Sequence, residues 1–300
     1  MSIFSKRLKS VLRCIKIFGI SKFLKQFFLA YFSKKVTSFK YKLAIAAIVK
    51  NETPYILEWI EFHKLIGVEK FYIYDNESDD NLYDLLTPYI EDGTVNYHFI
   101  EGKGKQATAY TEIINLYKNE AEYIAFIDID EFIAPVKHNN LIEYIEYFKE
   151  KYGEFDALNI NWLIHGFNGH YEKPDGFVIE NFKKCDFKAE RNNHIKTILN
   201  PRSVIMTYHP HYFVHKFSAK VKNTKGKMMW GPYNEPYYED IIIHHYFTKS
   251  YKEHIARYNK GKADLSKTFL YEYEPDFLSK DEENSIDKFL IQLKNKSAYN

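Results

Sequence analysis

Residues 43–67 read LAIAAIVKNETPYILEWIEFHKLIG, and this stretch decides the fold. Its first seven residues are all apolar, which is typical of a strand buried on both faces of a sheet. Thr53 and Pro54 have the order of an N-cap and a first helical position, and apolar residues then recur at helical spacing until Gly67. A buried strand followed closely by a helix predicts one unit of a parallel α/β sheet.

The same alternation continues toward the C-terminus. The predicted strands are 71–74, 95–100 and 123–129, and the predicted helices are 79–90, 106–118 and 141–151. The short connections predict an α/β fold with a mostly parallel sheet flanked by helices. Beyond residue 155 we expect a strand at 155–163, an irregular region with short strands at 165–240, a strand at 241–247 and a helix at 249–260.

Charge divides the chain into an N-terminal arm and a main domain. Eleven of the 42 Lys and Arg residues lie in residues 1–42, which contain no Asp or Glu, so residues 43–300 hold 31 basic and 40 acidic residues. A net acidic main domain argues against nucleic-acid binding. Two widely separated cysteines, Cys14 and Cys185, exclude a disulfide framework and favour a reducing compartment.

Bulky apolar residues in the arm recur at helical spacing between lysines. No apolar run approaches the roughly 18 residues that span a bilayer, and lysines interrupt every run that could form a signal-peptide core. We therefore expect an amphipathic helix on an anionic membrane surface and a cytoplasmic protein, peripheral at the inner face of the cell membrane. The alternative is a helix that packs on the main domain with its basic side in solvent.

The strongest chemical signal is EYIAFIDIDEFI at residues 122–133. The apolar strand ends in Asp128 and Asp130, whose i, i+2 spacing places both side chains on the same side. Converging carboxylates repel each other unless a cation compensates, and Mg²⁺ or Mn²⁺ prefers such oxygen ligands together with diphosphate oxygens. A solvated acidic turn is the alternative, but the end of a central strand favours a metal site.

A second polar cluster, FYIYDNESDD at residues 71–80, follows the next predicted strand. Asp75 is well placed there to bind a ribose or a base edge. Ser78 or Asp79 is suited to cap the following helix, and both roles can hold at once.

Taken in order, four features resemble glycosyltransferase family 92 and the family 2-like group, which have the GT-A fold. They are KNETPYILEWIEFHKLIGVEKFYIYDNESDDN at 50–81, Gln106 with Tyr110, FIDIDEFI at 126–133, and HHYFTKSYKEHIARYNKGKAD at 244–264. The resemblance implies a GT-A-like domain at residues 43–264 with an irregular acceptor side. Residues 1–42 are then an arm, and residues 265–300 a polar, helical extension.

The resemblance also implies a donor site. Asp128 and Asp130 would form the family's Asp-x-Asp motif, which binds Mn²⁺ or Mg²⁺ and through it the diphosphate, and His245 would be a late metal ligand or diphosphate contact. The nucleotide, most readily UDP, would contact the end of the first strand and Asp75. The residues expected on the nucleotide-sugar are Lys50, Asn51, Glu52, Asp75, Gln106, Tyr110, Asp128 and Lys196. Lys196 is either a further cation for the diphosphate or a surface lysine.

The resemblance implies an inverting reaction, which requires a carboxylate that deprotonates the acceptor hydroxyl. Glu235, between the acidic motif and His245, is the preferred candidate and Asp175 is the other, although either can be structural. His244 and His245 are adjacent on a predicted strand, so they face opposite ways and only one reaches the metal. His165 stands where the family usually has an aromatic residue, so substrate details are expected to differ.

These features predict a metal-dependent glycosyltransferase that moves a sugar from a nucleotide-diphosphate donor to a glycan or lipid-linked saccharide in cell-surface glycan synthesis. One alternative is a metal-dependent nucleotidyltransferase or phosphohydrolase. Nucleotidyltransferases usually carry a glycine-rich basic loop after the first strand, where this chain has KNETP. A non-catalytic nucleotide-sugar-binding module is the third possibility.

Overall fold

The computed structural model describes residues 3–32, 36–260 and 280–295, and two helices precede its sheet: α1 (Ile3–Phe18) and α2 (Ile20–Tyr31). The next elements are β1 (Tyr41–Val49), α3 (Thr53–Leu65), β2 (Lys70–Asp75), α4 (Leu82–Glu91), β3 (Val95–Phe99), α5 (Gln106–Tyr117), β4 (Ala121–Phe126), β5 (Glu131–Pro135) and α6 (Leu141–Tyr152). The second half contains β6 (Ala157–Ile164), α7 (Val178–Asn181), β7 (Lys184–Cys185), β8 (Ile195–Leu199), β9 (Val204–His209), β10 (Tyr212–His215), β11 (Val221–Asn223), β12 (Ile241–His245), α8 (Tyr251–Lys260), β13 (Asp281–Glu282) and α9 (Asp287–Lys294).

Nine of the described strands form one sheet, in the order β3-β2-β1-β4-β8-β6-β12-β5, with β11 beside β6. The first four strands in this order are parallel. β8 runs antiparallel to both of its neighbours, β12 is parallel to β6, and β5 is antiparallel to β12. The prediction of a mostly parallel α/β sheet flanked by helices is confirmed.

Strand β1 is apolar from Leu43 to Val49 because both of its faces are covered. Leu43 and Ile45 belong to a core that includes residues of α3, α4, α6 and α9, whereas Ala44 and Ala46 point into a second core with residues of α5, β9 and β10. Side chains of a strand alternate between its faces, so a doubly covered strand loses the apolar–polar alternation of a half-exposed one. The carboxyl ends of β1, β2 and β4 lie side by side at one edge of this sheet.

Three local predictions need correction. The strand predicted at 123–129 ends at Phe126, so Asp128 and Asp130 lie in a turn that leads directly into the unpredicted strand β5. Helix α3 begins at Thr53 with Glu52 as its N-cap, and the Thr53 hydroxyl donates to the carbonyl oxygen of Asp80. The region at 165–240 has short strands as expected, but one of them, the five-residue β8, lies in the middle of the sheet between β4 and β6.

The ends of the chain pack on the main domain where they are described. In the arm, Arg7 donates to the carbonyl oxygen of Phe217 and places its guanidinium 3.7 Å from the ring centroid of Trp230. No helix in the described part of the chain combines the length and apolarity needed to cross a membrane. Of the predicted extension, residues 265–279 and 296–300 lie outside the described residues, and α9 packs Phe289 against Phe62 of α3.

Candidate active site

Asp128, one of the two predicted metal-binding aspartates, follows β4 and is held by three side chains. Gln106 Nε2 and the Tyr110 hydroxyl donate to its Oδ1 over 3.0 and 3.4 Å, and Lys196 Nζ lies 2.8 Å from its Oδ2. Gln106 and Tyr110 lie one turn apart on α5, so the same helix face presents both. The structure thus brings together four residues that the sequence assigned to the donor site.

Lys196 is a fully buried lysine on β8, so its interpretation as a surface residue is wrong. Its ammonium also lies 3.5 Å from Oε2 of Glu131, whose side chain has no exposed surface. Burial alone would lower the pKa of Lys196, but Asp128 and Glu131 raise it, so the lysine stays charged. Burial raises the pKa of Glu131 well above its ordinary value, against the attraction of Lys196.

Asp130, the second predicted aspartate, has other partners. Arg257 NH1 of α8 lies 2.5 Å from its Oδ2, and His245 Nε2 lies 3.5 Å from the same oxygen. Burial acts to raise the pKa of Asp130, but Arg257 and His245 outweigh it and hold the pKa well below its usual range. Burial lowers the pKa of His245, which favours the neutral ring that a metal ion requires.

The residues present fit a divalent cation. One donor atom each from Asp130, Glu131 and His245 lies within 4.8 Å of the others, and all three residues are buried. Glu131 Oε1 and His245 Nδ1 are also buried without a hydrogen-bond partner among the described residues. Two carboxylates and an imidazole form a donor set suited to Mn²⁺ or Mg²⁺. The group contains Glu131 in place of the predicted Asp128.

Helix α8 and the loop before it form one wall of the site. Lys249 Nζ lies 2.9 Å from Oε2 of Glu52, in the loop between β1 and α3, and 3.6 Å from the ring centroid of Tyr55. Arg257 is half exposed, so its guanidinium borders both solvent and the buried Asp130. Sequence reasoning did not single out Glu131, Lys249 or Arg257. Only their positions in the sequence could have indicated them: Glu131 directly follows the Asp-x-Asp motif, and Lys249 and Arg257 lie in the segment 244–264 that resembles the family.

The predicted nucleotide side is built by the loops after β1 and β2. Asn51 has a left-handed backbone (φ 58°), and its side-chain oxygen accepts a hydrogen bond from the Asp79 backbone. Asp75 is buried, accepts from the Ser78 backbone over 2.8 Å and from the Tyr97 hydroxyl over 2.5 Å. These contacts give Asp75 a role in the turn, and its nucleotide contact stays a prediction.

Lys50, also predicted on the nucleotide side, is half exposed at the end of β1. Its Nζ lies 3.9 Å from Oε2 of Glu77, which in turn accepts from the Gly102 backbone over 3.2 Å. The three loops that follow the parallel strands β1, β2 and β3 are therefore joined at this edge of the sheet.

The two candidate catalytic bases are both exposed. Glu235 follows Asn234, whose backbone N–H donates to Asn193 and whose side-chain nitrogen donates to Asn161 on β6. Asp175 lies in the loop before α7, where its carbonyl oxygen accepts from the Asn181 side chain. Neither carboxylate belongs to the cluster around Asp130, so both roles stay predictions.

The two adjacent histidines of β12 do face opposite ways. His245 points to Asp130, whereas His244 Nδ1 lies 3.0 Å from His165 Nε2 and its Nε2 lies 3.5 Å from Glu283. His165 is buried and bonded through Nδ1 to the carbonyl oxygen of Phe182. It therefore has a structural position, away from the carboxylate cluster and on the other face of β12.

Comparison with known proteins identifies the family. Residues 43–293 match the family described as glycosyltransferase family 92. A family 92 protein of Arabidopsis thaliana is 31% identical over 36% of this chain and 19% of its own length, and one of Oryza sativa subsp. japonica is 25% identical over 57% and 30%. A β-1,4-galactosyltransferase of Caenorhabditis elegans is 33% identical over 36% of this chain and 28% of its own. The chain therefore matches less than a third of the length of each of these relatives.

Among solved structures, S. aureus TarS in complex with UDP is 13% identical with a TM-score of 0.36, covering 53% of this chain and 47% of that one. A UDP-glucose pyrophosphorylase complexed with UDP-glucose is 14% identical with a TM-score of 0.32, covering 54% and 76%. The family match, in contrast, extends from the first sheet strand to α9. This protein belongs to glycosyltransferase family 92.

Proposed function

We propose that the protein is a metal-dependent glycosyltransferase that moves a sugar from a nucleotide-diphosphate donor to a hydroxyl of a glycan or lipid-linked saccharide in cell-surface glycan synthesis. The proposal is carried by a cluster of side chains at the carboxyl ends of the strands, formed by Asp128, Asp130, Glu131 and His245. Two cations of the chain pair with it, Lys196 with Asp128 and Arg257 with Asp130. Ligands of open α/β sheets bind at this edge. Membership of glycosyltransferase family 92 supports sugar transfer as the reaction.

Asp130, Glu131 and His245 would hold Mn²⁺ or Mg²⁺, with Asp128 beside them. When bound, the ion would supply positive charge that stabilises the leaving diphosphate. In this proposal Asp130 and His245 keep the metal-binding roles expected from the sequence, and Glu131 takes the place expected for Asp128. Lys196 contacts both Asp128 and Glu131, so its buried positive charge attracts the two carboxylates and orients them.

Two cations of the chain itself are suited to the diphosphate. Arg257 and Lys249 each pair with a carboxylate of the site, and each comes from the segment at residues 247–257. A guanidinium offers paired N–H donors that match phosphate oxygens, and its half exposure leaves it accessible. Fixed positive groups at the leaving group lower the barrier because the site need not reorganise as charge develops.

The nucleotide would lie along the loops of Lys50, Asn51, Glu52 and Asp75, with UDP as the nucleotide that the family resemblance implies. One relative is named a β-1,4-galactosyltransferase, so a nucleotide-linked hexose is the donor class to test first. Tyr110 and Gln106 would act indirectly here, because both donate to Asp128 and so fix its orientation.

Glu235 remains the preferred base for an inverting transfer, because its segment approaches the cluster through ring contacts. Tyr233 contacts His194 at 4.7 Å, His194 stacks on Trp162 at 4.9 Å, and Trp162 lies 4.2 Å from His245 between ring centroids. The loop of Asp175 is instead bonded to α7. Glu235 would accept the proton of the acceptor hydroxyl.

Calorimetry of UDP, GDP and CDP with Mn²⁺ or with EDTA tests the donor site, using wild type, Asp130→Asn and Glu235→Gln. We expect one nucleotide to bind tightly, and this binding to be lost with EDTA and with Asp130→Asn. Glu235→Gln should retain nucleotide binding while losing sugar transfer to a saccharide acceptor. Absence of binding by all three nucleotides in both conditions would refute the proposal. Release of pyrophosphate or free phosphate without transferred sugar would favour the other enzyme classes.

A further inference from the structure

The arm helices α1 and α2 expose most of their bulky apolar side chains. Their inner face packs on the domain through the buried Phe23 and through partly buried apolar side chains, which are Val11, Ile15, Phe18, Phe27 and Tyr31. The outward positions, each between 39% and 75% exposed, are Leu8, Leu12, Ile17, Ile20, Leu24, Phe28, Leu29 and Phe32. An amphipathic helix that only packs on its own domain presents mainly polar side chains to solvent. Packing on the domain therefore accounts for the inner face of the arm but not for the apolar residues of its outer face.

The exposed apolar residues form a continuous row along α2 and the residue after it. Ile20, Leu24, Phe28 and Phe32 follow each other at intervals of four, and neighbours at that spacing lie on one side of a helix. Phe32 is 75% exposed, and its ring stacks on that of Phe28 at 5.6 Å between centroids. Contiguous exposed apolar surface of this kind indicates a region that another phase or molecule covers.

The charge around this row determines what can cover it. Six exposed cations lie on the same two helices: Lys6, Lys9, Arg13, Lys16, Lys22 and Lys25. Residues 1–42 contain no acidic side chain. A second copy of the same face would oppose cation to cation, so self-association through it is disfavoured. An anionic lipid surface complements both properties, since its phosphates attract lysines and its acyl region accepts the apolar side chains.

We propose that this outer face of α1 and α2 docks the protein on an anionic lipid bilayer, with both helices lying in the interface. Gly19 joins them with φ +85°, a left-handed conformation that an L side chain rarely adopts, so the two helices meet at a turn. Arg7 and Tyr31 hold the hairpin to the domain: Arg7 donates to the Phe217 carbonyl oxygen, and the Tyr31 hydroxyl accepts from the Phe217 backbone over 3.0 Å. The face is thus presented by the folded domain, and docking is independent of the donor site.

Co-sedimentation of the full chain with phosphatidylcholine vesicles, with and without phosphatidylglycerol, tests this surface. Wild type should bind only the phosphatidylglycerol vesicles, and less at high salt. Phe28→Ser with Phe32→Ser should weaken binding at least about tenfold, because two exposed rings leave the interface. Lys22→Glu with Lys25→Glu should weaken it by a similar factor. Leu116→Ser on α5 is the matched control, since Leu116 is 57% exposed against 56% for Phe28.

All of these substitutions are at exposed positions, and unchanged far-UV circular dichroism and melting temperature would confirm that the variants are folded. Equal vesicle binding by wild type and the double Phe variant would overturn the proposal, as would absence of wild-type binding to phosphatidylglycerol. Concentration-dependent dimerisation abolished by the Phe substitutions, without lipid binding, would assign the face to self-association and also overturn it. Nucleotide calorimetry without lipid tests the donor site independently, so a failure of lipid docking can be distinguished from a failure of the proposed donor site.

Discussion

Replacement of Lys196 by methionine tests whether one buried cation balances the acidic centre. The Lys196 ammonium has no exposed surface and lies 2.8 Å from Asp128 and 3.5 Å from Glu131. Methionine has a similar length and apolar stem, so the substitution removes the charge while largely filling the same space. It leaves two neighbouring carboxylates, of which Glu131 is fully buried.

Loss of one partner from a buried ion pair typically costs about 3–5 kcal/mol, because the remaining charge is uncompensated. Glu131 can limit this cost by binding a proton, since burial already raises its pKa. A raised pKa in the folded state contributes stability below the unfolded value and loses it as the pH rises through the folded value. We therefore expect Lys196→Met to lose about 3 kcal/mol at neutral pH and less in mild acid.

Urea unfolding followed by far-UV circular dichroism, at neutral and mildly acidic pH, measures this free energy. Lys252→Met is the matched control, because Lys252 pairs with Glu172 at the surface, where both side chains are more than half exposed. A surface pair contributes at most about 1 kcal/mol, so the control should remain close to wild type. Adding Glu131→Gln to Lys196→Met should recover part of the loss, since it removes one of the unbalanced carboxylates.

A loss below about 1 kcal/mol for Lys196→Met, equal to that of the control, would show that the lysine does not balance the carboxylates. If Lys196→Met loses the full 3 kcal/mol or so of unfolding free energy at both pH values, and adding Glu131→Gln recovers none of it, the cause is instead a packing defect at β8. Either result would refute the assignment of Lys196 as the buried cation that balances the acidic pair Asp128 and Glu131.

Further substitutions test other parts of the structure. Glu58 is buried, accepts two backbone N–H groups at the start of α7, and has its pKa raised by burial to about 7. The raised pKa means that protonated Glu58 stabilises the folded protein below the unfolded pKa, and that this contribution is lost as the pH rises through about 7. Over that pH range, urea titrations should show the free energy of unfolding of wild type falling by about 3 kcal/mol relative to that of Glu58→Gln. A pH-independent difference would contradict this. Arg257→Ala should raise the Mn²⁺ affinity of the nucleotide-free protein severalfold in calorimetry, because the ion no longer displaces a guanidinium from the carboxylate it binds; unchanged or weaker affinity would count against competition. Gly226→Ala should lower the free energy of unfolding by at least about 2 kcal/mol, since φ is +72° and the new Cβ would lie 2.4 Å from the Tyr152 ring. Gly104→Ala, with φ +68° and open space, should lose about 1 kcal/mol, and equal losses would exclude the clash.

Much of the sheet was predictable because its signals are local. The seven apolar residues that begin at Leu43 and the helical spacing after Pro54 each involve neighbours in sequence, and both elements form as expected. The opposite orientations of His244 and His245 follow from the two-residue period of a strand. The end of β4 was not predictable in this way, since the apolar residues of FIDIDEFI continue the same alternation through the turn.

Pairing between distant strands explains that failure. β5 forms because its residues pair with β12, where Ile133 lies opposite Ile243, and this contact joins segments more than a hundred residues apart. The turn at Asp128 and Asp130 then directs these side chains to different partners, instead of the single metal site that a continuous strand suggested. Glu131 becomes a buried member of the cluster for the same reason, since it is the first residue of β5.

The sequence by itself determined the family, the parallel half of the sheet, and the acidic motif at the end of a strand. These properties depend on residue types and spacings within short segments, which periodicity and motif order report directly. Only the tertiary structure decided that Lys196 is buried against Asp128, that Arg257 neutralises Asp130 across 127 positions, and that Glu131 replaces Asp128 beside His245. Electrostatic partners are selected by proximity in space, and no local pattern in a chain encodes which distant residues meet.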